Sequence, residues 1–321
     1  MNSKNYGAIF ESLVEQTAEY LVKNNLKAQI LGISGGIDST VVAAICHEVS
    51  KRTNIPLIGR SLPSKYNKEG ETTTADLVGN AFCNDYKVFS INQIYHNYLT
   101  EIILKESGEV NYDIDYDGNI THVQDDFLSP IAKGNIQARL RMIYLYNLAS
   151  IHGGLVMDTD NLTENNLGYF TIHGDVGDFN PIGGLWKTEV FELAEWIKDM
   201  YDSYSLIEHT DSEEVINIKA DNIEKVKAIS ESLKLKPTAG LGITSNDLEE
   251  IGAESYDQVD SILQETLRLK EKGANINTIL ETLYDNSNIN SDIINNVVNK
   301  HFKSEFKRSQ LPIKITRDEI V

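Results

Sequence analysis

The residues best suited to chemistry lie in one short string, ISGGIDST at residues 33–40. Its two adjacent glycines let the backbone turn tightly and approach an anion closely. The N–H groups of the turn and of the helix that follows form an anion site, to which Ser34, Ser39 and Thr40 add hydroxyl donors. Asp38 would repel a phosphate unless Mg²⁺ lay between them. The string therefore predicts a phosphate and magnesium site, although a simple helix cap would use Asp38 or Ser39 equally well.

The elements around this string predict where it lies in the fold. Apolar residues at helical spacing over 8–23 indicate an amphipathic helix. Residues 28–33 form an apolar run typical of a buried strand, and residues 40–50 continue as an apolar helix. Further elements are expected as strands at 55–60, 86–91 and 154–157 and as a helix at 135–150. This alternation predicts an α/β fold, a parallel sheet with helices on both faces and a ligand crevice at the carboxyl ends of the strands.

Two segments are expected to be insertions outside that core. Residues 107–127 alternate around Asp117-Gly118, which predicts a β-hairpin. Residues 202–235 are polar and then helical, with no evident chemistry. Residues 256–300 predict a helical C-terminal part. No repeat or low-complexity linker separates these regions, so residues 1–321 are predicted to form a single domain with appendages.

Composition narrows the partners and the compartment. The 321 residues include 48 acidic and 29 basic ones, for a formal net charge of −19, which disfavours a nucleic-acid partner. The two cysteines, Cys46 and Cys83, form no CxxC motif, which argues against a zinc ribbon and favours a reducing compartment. No signal sequence or membrane-spanning run is evident. A cytoplasmic protein is expected.

The string at 33–40 resembles the S-G-G-x-D-S loop of the ATP-pyrophosphatase families and lacks the Walker spacing. In those families the loop holds the β- and γ-phosphates, and the bond between the α- and β-phosphates is broken. Further strings resemble ammonia-dependent NAD synthetase, in the same order along the chain. They are RSLP at 60–63, NIQARLRM at 135–142, DTDNLTE at 158–164, GYFT at 168–171, GD at 174–175, LWK at 185–187, PTAGL at 237–241 and FKR at 306–308.

This resemblance implies a Rossmann-like fold of the ATP-pyrophosphatase type and a two-step reaction. ATP would activate the carboxylate of deamido-NAD as an acyl-adenylate, and ammonia would then displace AMP. The implied catalytic residues are Asp38 and Glu164, as Mg²⁺ ligands, and Lys187, which would stabilise charge on the phosphates. ATP contacts are implied for Gly32, Ile33, Ser34, Gly35, Gly36, Ile37, Asp38, Ser39, Arg60, Thr159, Lys187 and Thr238. Contacts with deamido-NAD are implied for Arg139, Asp175, Asp178, Phe306 and Lys307. The family also implies a homodimer with its sites near the interface.

Departures from the family pattern leave alternatives open. Ile172, Gly240, Leu248 and Phe306 stand where the family has polar or charged residues, mostly on the deamido-NAD side. An amide-forming relative with another carboxylic acid, or a nucleotide-binding relative without turnover, remains possible. Glu164 and Lys187 could be ordinary surface residues, and Arg139 and Arg141 could be structural ion-pair partners.

The number of residues before the phosphate loop indicates which nitrogen donor to expect. Only about 30 residues precede the phosphate loop, too few for a glutamine-hydrolysing domain. Free ammonia, or ammonia from a separate glutaminase subunit, is therefore the expected donor. A tRNA-modifying enzyme with the same loop is disfavoured by the net charge and by the apolar surroundings predicted for Cys46.

Overall fold

The computed structural model describes residues 4–67, 70–103, 112–118, 120–123, 128–206, 208, 212–236 and 247–308. Its helices and strands alternate through the first half of the chain, and helices follow to the end. The first half contains α1 (Tyr6–Lys23), β1 (Gln29–Gly32), α2 (Ile37–Thr53), β2 (Leu57–Ser61), α3 (Glu71–Phe82), β3 (Asp85–Val88), α4 (Asn92–Tyr98), a π-helical turn (Leu99–Ile103), β4 (Tyr112–Ile114), β5 (Ile120–Val123), α5 (Pro130–His152) and β6 (Leu155–Met157). The second half contains α6 (Leu162–Leu167), α7 (Lys187–Ser203), α8 (Glu213–Lys234), α9 (Asp247–Ile251), α10 (Tyr256–Glu271), α11 (Ile276–Asn286), α12 (Ser291–Lys303) and α13 (Glu305–Arg308).

The main sheet is parallel and has the strand order β3-β2-β1-β6. In the central register Ile30 lies opposite Ile58 on one side and Val156 on the other. These three side chains pack together with α5 on one face of the sheet, whereas Leu31 and Met157 point to the other face and pack with α2. Successive residues of a strand point to opposite faces, so the sheet is covered on both sides. The predicted α/β fold is confirmed.

The two predicted insertions differ in how they join the fold. The hairpin is confirmed: β4 and β5 pair antiparallel, and Gly118 takes the positive φ of 82° that the turn requires. The other segment contributes α8 to the main core, where Ala228 and Ile229 are buried beside the helices α2 and α3. Its helix is therefore part of the central packing and does not stand outside it.

The C-terminal helices form a second apolar cluster. Buried residues from α10, α11 and α12 pack with each other and with Leu167 at the end of α6, which confirms the predicted helical C-terminal part. Among the helices of the described ranges, none combines the length and the apolar character that a membrane span requires.

Candidate active site

A large cleft opens at the carboxyl ends of β1, β2 and β6, where a parallel α/β sheet binds its ligands. Its volume is about 1220 Å³. The turn after β1, the segment after β2 and one side of α5 line it, and the segment 159–175 and the helices α12 and α13 complete it. Most of the residues predicted to bind ATP line this one cavity.

The predicted phosphate loop turns tightly at Gly35, which has a φ of 85°. A Cβ atom at this position would lie 2.5 Å from the carbonyl oxygen of Glu71 and 2.8 Å from the nitrogen of Ala75, so only glycine fits. Ser34 and Ser39 share a hydrogen bond of 2.9 Å between their hydroxyls. Both serines line the cleft, and the free N–H groups at the start of α2 follow directly. The loop therefore has the geometry of an anion site at a helix N-terminus.

Thr40 lies behind this loop. Its hydroxyl donates to the carbonyl oxygen of Gly36 at 2.9 Å and lies 2.7 Å from the hydroxyl of Ser232 on α8. Ser232 donates to the carbonyl oxygen of Gly35 at 3.0 Å. Thr40 is fully buried, so the expectation that its hydroxyl faces the ligand was wrong. Together with Ser232 it holds the loop from the back, which ties α8 to the site.

Three charged side chains meet beside the loop. The Nζ atom of Lys187 lies 2.5 Å from Oδ2 of Asp38 and 2.9 Å from Oε1 of Glu164. Asn161 joins the two carboxylates, since its Nδ2 donates to Oδ1 of Asp38 at 2.9 Å and its backbone N–H donates to Oε2 of Glu164 at 3.2 Å. Asn161 and Glu164 form a reciprocal capping box at the start of α6. The structure thus brings together Asp38, Glu164 and Lys187, which come from three separate parts of the chain.

Burial sets the electrostatics of this group. It raises the pKa of Glu164 to about 7, against the opposing charge of Lys187 and with the repulsion of Asp38 adding to the rise. Burial disfavours the charge on Lys187, but Asp38 and Glu164 outweigh it and raise the pKa of Lys187 well above its ordinary value. Lys187 is therefore a permanent cation, and the two carboxylates together carry more negative charge than it neutralises. A second cation would relieve the excess.

Three carboxylates form an acidic wall near this group: Asp158, which is buried, and Asp160 and Asp175, which are half-buried. Burial raises the pKa of Asp175 to about 6, although the backbone N–H of Thr171 donates to its Oδ1 at 2.6 Å. Burial likewise raises the pKa of Asp158 and Asp160. Asp160 and Asp175 line the cleft. In the described part of the chain, no three histidine, cysteine or acidic side chains are grouped so that they could hold a metal ion.

Lys187 is held by a buried residue that the sequence did not reveal. Asp260 on α10 is 2% exposed. It accepts 2.5 and 3.0 Å bonds from the hydroxyl of Thr163 and the N–H of Thr188. The same Thr163 oxygen accepts a 2.9 Å bond from the backbone N–H of Lys187. Asp260 adjoins the apolar stripe of α10 that includes Val259 and Leu263, and a carboxylate beside such a stripe is the one signal that could have indicated it.

Replacing Asp260 by Asn should lower kcat by about 10- to 100-fold, because asparagine has one acceptor oxygen where aspartate has two. Either Thr163 or Thr188 then loses its acceptor, and Lys187 shifts from the carboxylates. Steady-state kinetics measure the effect, with circular dichroism to verify the fold. Thr266→Val is the matched control, since Thr266 is buried on the same helix and its hydroxyl has no hydrogen-bond partner within the described structure. Equal kcat values for Asp260→Asn and Thr266→Val would contradict the positioning role.

The other predicted ATP contacts have separate positions. Thr159 lines the cleft. Arg60 also borders it, but its guanidinium donates to the carbonyl oxygen of Gly59 at 2.7 Å and to Oδ2 of Asp85 at 2.7 Å. Its charge is therefore paired with Asp85 on the neighbouring strand β3. Thr238 lies outside the described residues.

Two of the residues predicted to contact deamido-NAD do not line the cleft of this chain. Arg139 is exposed on α5 and donates to the carbonyl oxygen of Ile172 at 3.1 Å. Asp178 accepts a 3.0 Å bond from the backbone N–H of Val156. Arg141, two residues after Arg139, lines the cleft instead. The alternative of a structural ion pair is not observed for Arg141 among the described residues, where its Nε donates to the carbonyl oxygen of Leu62 at 2.9 Å.

The C-terminal segment closes one end of the cleft. Lys307 donates to the carbonyl oxygens of Gly168 and Phe170 at 2.7 and 2.6 Å. Arg308 donates to the carbonyl oxygen of Asn166 at 2.8 Å. Cations at the C-terminus of a helix stabilise it, so this segment supports α6, which carries Glu164. Phe306 is 57% exposed and borders the cleft.

His301 gives this C-terminal contact a pH dependence. Its side chain is buried, and its Nδ1 lies 3.2 Å from the carbonyl oxygen of Asn166. Burial, with the nearby charges of Arg308 and Lys270, lowers the pKa of His301 to about 4. Since the folded pKa lies below the unfolded value of about 6.5, the stabilisation is complete above pH 6.5 and is lost as the pH falls toward 4.

Replacing His301 by Asn keeps a donor for Asn166 and removes the titration. The melting temperature of the original protein should therefore fall more steeply between pH 6.5 and 4.5 than that of His301→Asn. Differential scanning calorimetry across this range measures both. Parallel curves would show that His301 does not control acid stability.

Comparisons of the sequence and of the fold with known proteins lead to one family of enzymes. A sequence model of a family described as NAD synthase matches residues 9–311. An NH(3)-dependent NAD(+) synthetase of Methanococcoides burtonii is 32% identical over 243 residues, covering 75% of this chain and 73% of that protein. One from Thermococcus sibiricus is 30% identical over 277 residues, covering 86% and 87%. Among solved structures, an NMN synthetase from Francisella tularensis shares the fold with a TM-score of 0.68 at 23% identity, covering 98% of this chain and all of that one.

Proposed function

Because the chain belongs to the NAD synthase family, we propose that it uses ATP and ammonia to convert the carboxylate of deamido-NAD into the amide of NAD. It is a ligase that forms a carbon–nitrogen bond and releases AMP and pyrophosphate. The observation that carries the proposal is the meeting of Lys187, Asp38 and Glu164 beside a phosphate loop. The named activity of the relatives supports the same reaction.

The reaction needs charge control more than a nucleophilic side chain. A carboxylate oxygen of the acid attacks the α-phosphorus of ATP, and the bond from that phosphorus to the bridging oxygen of the β-phosphate breaks. The backbone N–H groups after Gly35 hold the departing pyrophosphate, and Lys187 offsets the negative charge that develops on it. Ammonia then attacks the acyl carbon, AMP leaves with one carboxylate oxygen, and a proton is released. Positioning and electrostatics supply most of the rate.

Mg²⁺ fits this site by charge and by donor chemistry. Asp38 and Glu164 both lie within 2.9 Å of the same Lys187 Nζ, so the two carboxylates are close enough to share one cation. Burial, with the repulsion of Asp38 added to it and Lys187 opposing it, raises the pKa of Glu164 to about 7, and a second cation would favour its ionised form. Mg²⁺ in nucleotide sites uses one or two carboxylates and completes its shell with phosphate oxygens and water. When bound, the ion would neutralise phosphate charge, with Asp38 and Glu164 as its protein ligands.

Replacing Glu164 by Gln should raise the Mg²⁺ concentration for half-maximal activity by about 10- to 100-fold, since one anionic ligand is lost. A magnesium titration of ATP–pyrophosphate exchange measures it. Glu195→Gln, a surface change in an ion pair with Lys198, should leave the requirement unaltered. An unchanged requirement in Glu164→Gln would remove Glu164 from the metal site.

A second copy of this chain is proposed to complete the acid-binding side. The outer face of α5 exposes Ile143 and Tyr146 beside Val176, and Tyr146 donates to the carbonyl oxygen of Val176 at 3.3 Å. Arg139 lies on the same face. A homodimer formed there would cover these apolar side chains. It would also bring Arg139 to the substrate of the partner subunit, so that Arg139 could contact deamido-NAD although it lies outside the cleft of its own chain. Sedimentation equilibrium, compared with the chain mass of 36.0 kDa, tests the assembly.

The compartment and the remaining contacts follow the same proposal. Cys46 and Cys83 are free thiols, which suits the cytoplasm. Asp175, Lys307 and Phe306 border the cleft, and we assign them to deamido-NAD.

Purified protein with ATP, Mg²⁺, deamido-NAD and ammonium tests the function. NAD and AMP should form in equal amounts, and glutamine should not replace ammonium. Nicotinate mononucleotide and free nicotinate serve as comparison acids, and a preference for either would identify a different acid substrate. ATP binding without AMP release from any acid would identify a non-catalytic relative.

A further inference from the structure

Arg141 is a cation of the cleft lining to which the proposed reaction assigns no role. It lies on the inner side of α5 and lines the cleft. Its Nε donates to the carbonyl oxygen of Leu62 at 2.9 Å, which holds the guanidinium against the end of β2. Among the described residues no carboxylate lies within ion-pair distance of it, and its Nη atoms make no hydrogen bond.

Arg141 lies near two carboxylates of the cleft, Glu71 and Asp175. Glu71 lies beside the phosphate loop, since its backbone carbonyl oxygen packs against Gly35. Asp175 belongs to the acidic wall. Burial lowers the pKa of Arg141 to about 10, and the charges of Glu71 and Asp175 oppose the fall. The side chain therefore stays charged at neutral pH, while most of its donors have no partner among the residues that the structure describes.

Arg141 is half-buried, and a cation that is partly removed from water without a paired counter-ion is costly. A guanidinium presents five N–H donors in a planar fork that matches the oxygens of a phosphate or a carboxylate. Arg141 uses one of these donors for Leu62, and that bond fixes the direction of the others. Such an arrangement is pre-organised for an oxyanion, and the cleft is where one would arrive.

We propose that Arg141 binds an oxyanion of the reactants in the cleft, near the phosphate loop and the acidic wall. Three groups of the reactants have this chemistry: the α-phosphate of ATP, the carboxylate of the acid and the diphosphate of deamido-NAD. The inference rests on the proposed function for the identity of the reactants. Arg139, two residues earlier, points to the outer face of the same helix, so the two arginines have different tasks.

Equilibrium binding of AMP, ATP, deamido-NAD and NAD to the original protein and to Arg141→Lys and Arg141→Gln tests the inference. Calorimetry needs no turnover, so the result is independent of whether NAD is formed. At least one ligand should bind about 10- to 100-fold more weakly to both variants, because lysine keeps the charge and loses the fork. Weaker binding of AMP and ATP identifies the α-phosphate. Weaker binding of deamido-NAD with unchanged NAD identifies the carboxylate, and equal losses for both dinucleotides identify the diphosphate.

Arg52→Gln is the control for loss of an arginine, since Arg52 pairs with Glu11 on the surface away from the cleft. Thermal melting of each variant separates weak binding from unfolding, and Arg141→Lys provides the test should Arg141→Gln fail to fold. Binding of all four ligands to a folded Arg141→Lys with the original affinities would overturn the inference.

Discussion

Replacing Lys187 by Met is expected to lower kcat by about a thousandfold or more, the largest effect of any single change at the site. Lys187 is 1% exposed and, within the described ranges, is the one cation in contact with both Asp38 and Glu164. Methionine fills a similar volume but leaves the two carboxylates without their shared counter-charge, and the developing pyrophosphate loses its cation. Initial rates of AMP release at saturating ATP and acid measure the effect.

Lys198→Met is the matched control for this change. Lys198 lies on the same helix, α7, and pairs with the surface residues Glu195 and Asp199. Surface ion pairs contribute little to stability, so this variant should retain the original kcat. In Lys187→Met, Glu164 can take up a proton and relieve the repulsion from Asp38, so the variant is expected to fold. Thermal melting checks its folding. A well-folded Lys187→Met with undiminished AMP release would remove Lys187 from the mechanism.

Replacing Gly35 by Ala is expected to abolish measurable ATP binding, with at least a ~100-fold loss of affinity. The added Cβ would lie 2.5 Å from the carbonyl oxygen of Glu71 and 2.8 Å from the nitrogen of Ala75. Both are backbone atoms of α3, so neither can rotate away, and the φ of 85° also disfavours alanine. The loop must move, and its N–H groups then no longer converge on the phosphates. Calorimetric titration with ATP and Mg²⁺ measures the loss.

Gly184→Ala controls for this substitution. No described atom lies within 4 Å of a Cβ at Gly184, and its backbone has no positive φ. It should bind ATP as tightly as the original protein and melt at the same temperature. Tight ATP binding by Gly35→Ala would mean that the turn after β1 does not hold the phosphates.

Local sequence patterns predicted the sheet and the phosphate loop because both depend on short-range features. Apolar runs of strand length mark β1 and β2, and two glycines before a helix mark the turn. The motif order also identified Glu164 and Lys187, which the structure brings to Asp38. Residues that are close together in the sequence determine such features, so the features can be recognised from the sequence alone.

Tertiary contacts explain what the sequence did not reveal. Thr40 faces Ser232, which lies 192 positions later in the chain. The residues around Thr40 in the sequence therefore do not indicate that its hydroxyl points away from the cleft. Asp260 contacts Thr163 across 97 positions. The opposite directions of Arg139 and Arg141 depend on which side of α5 meets the sheet. No local periodicity encodes these pairings.

The central claim is that the acid attacks the α-phosphorus of ATP while the loop holds the two outer phosphates. The most direct test is the reaction with deamido-NAD labelled with ¹⁸O in its carboxylate, followed by mass spectrometry of the products. One labelled oxygen should appear in AMP for each NAD formed, and pyrophosphate should stay unlabelled. Label in inorganic phosphate, with ADP as the nucleotide product, would contradict the account.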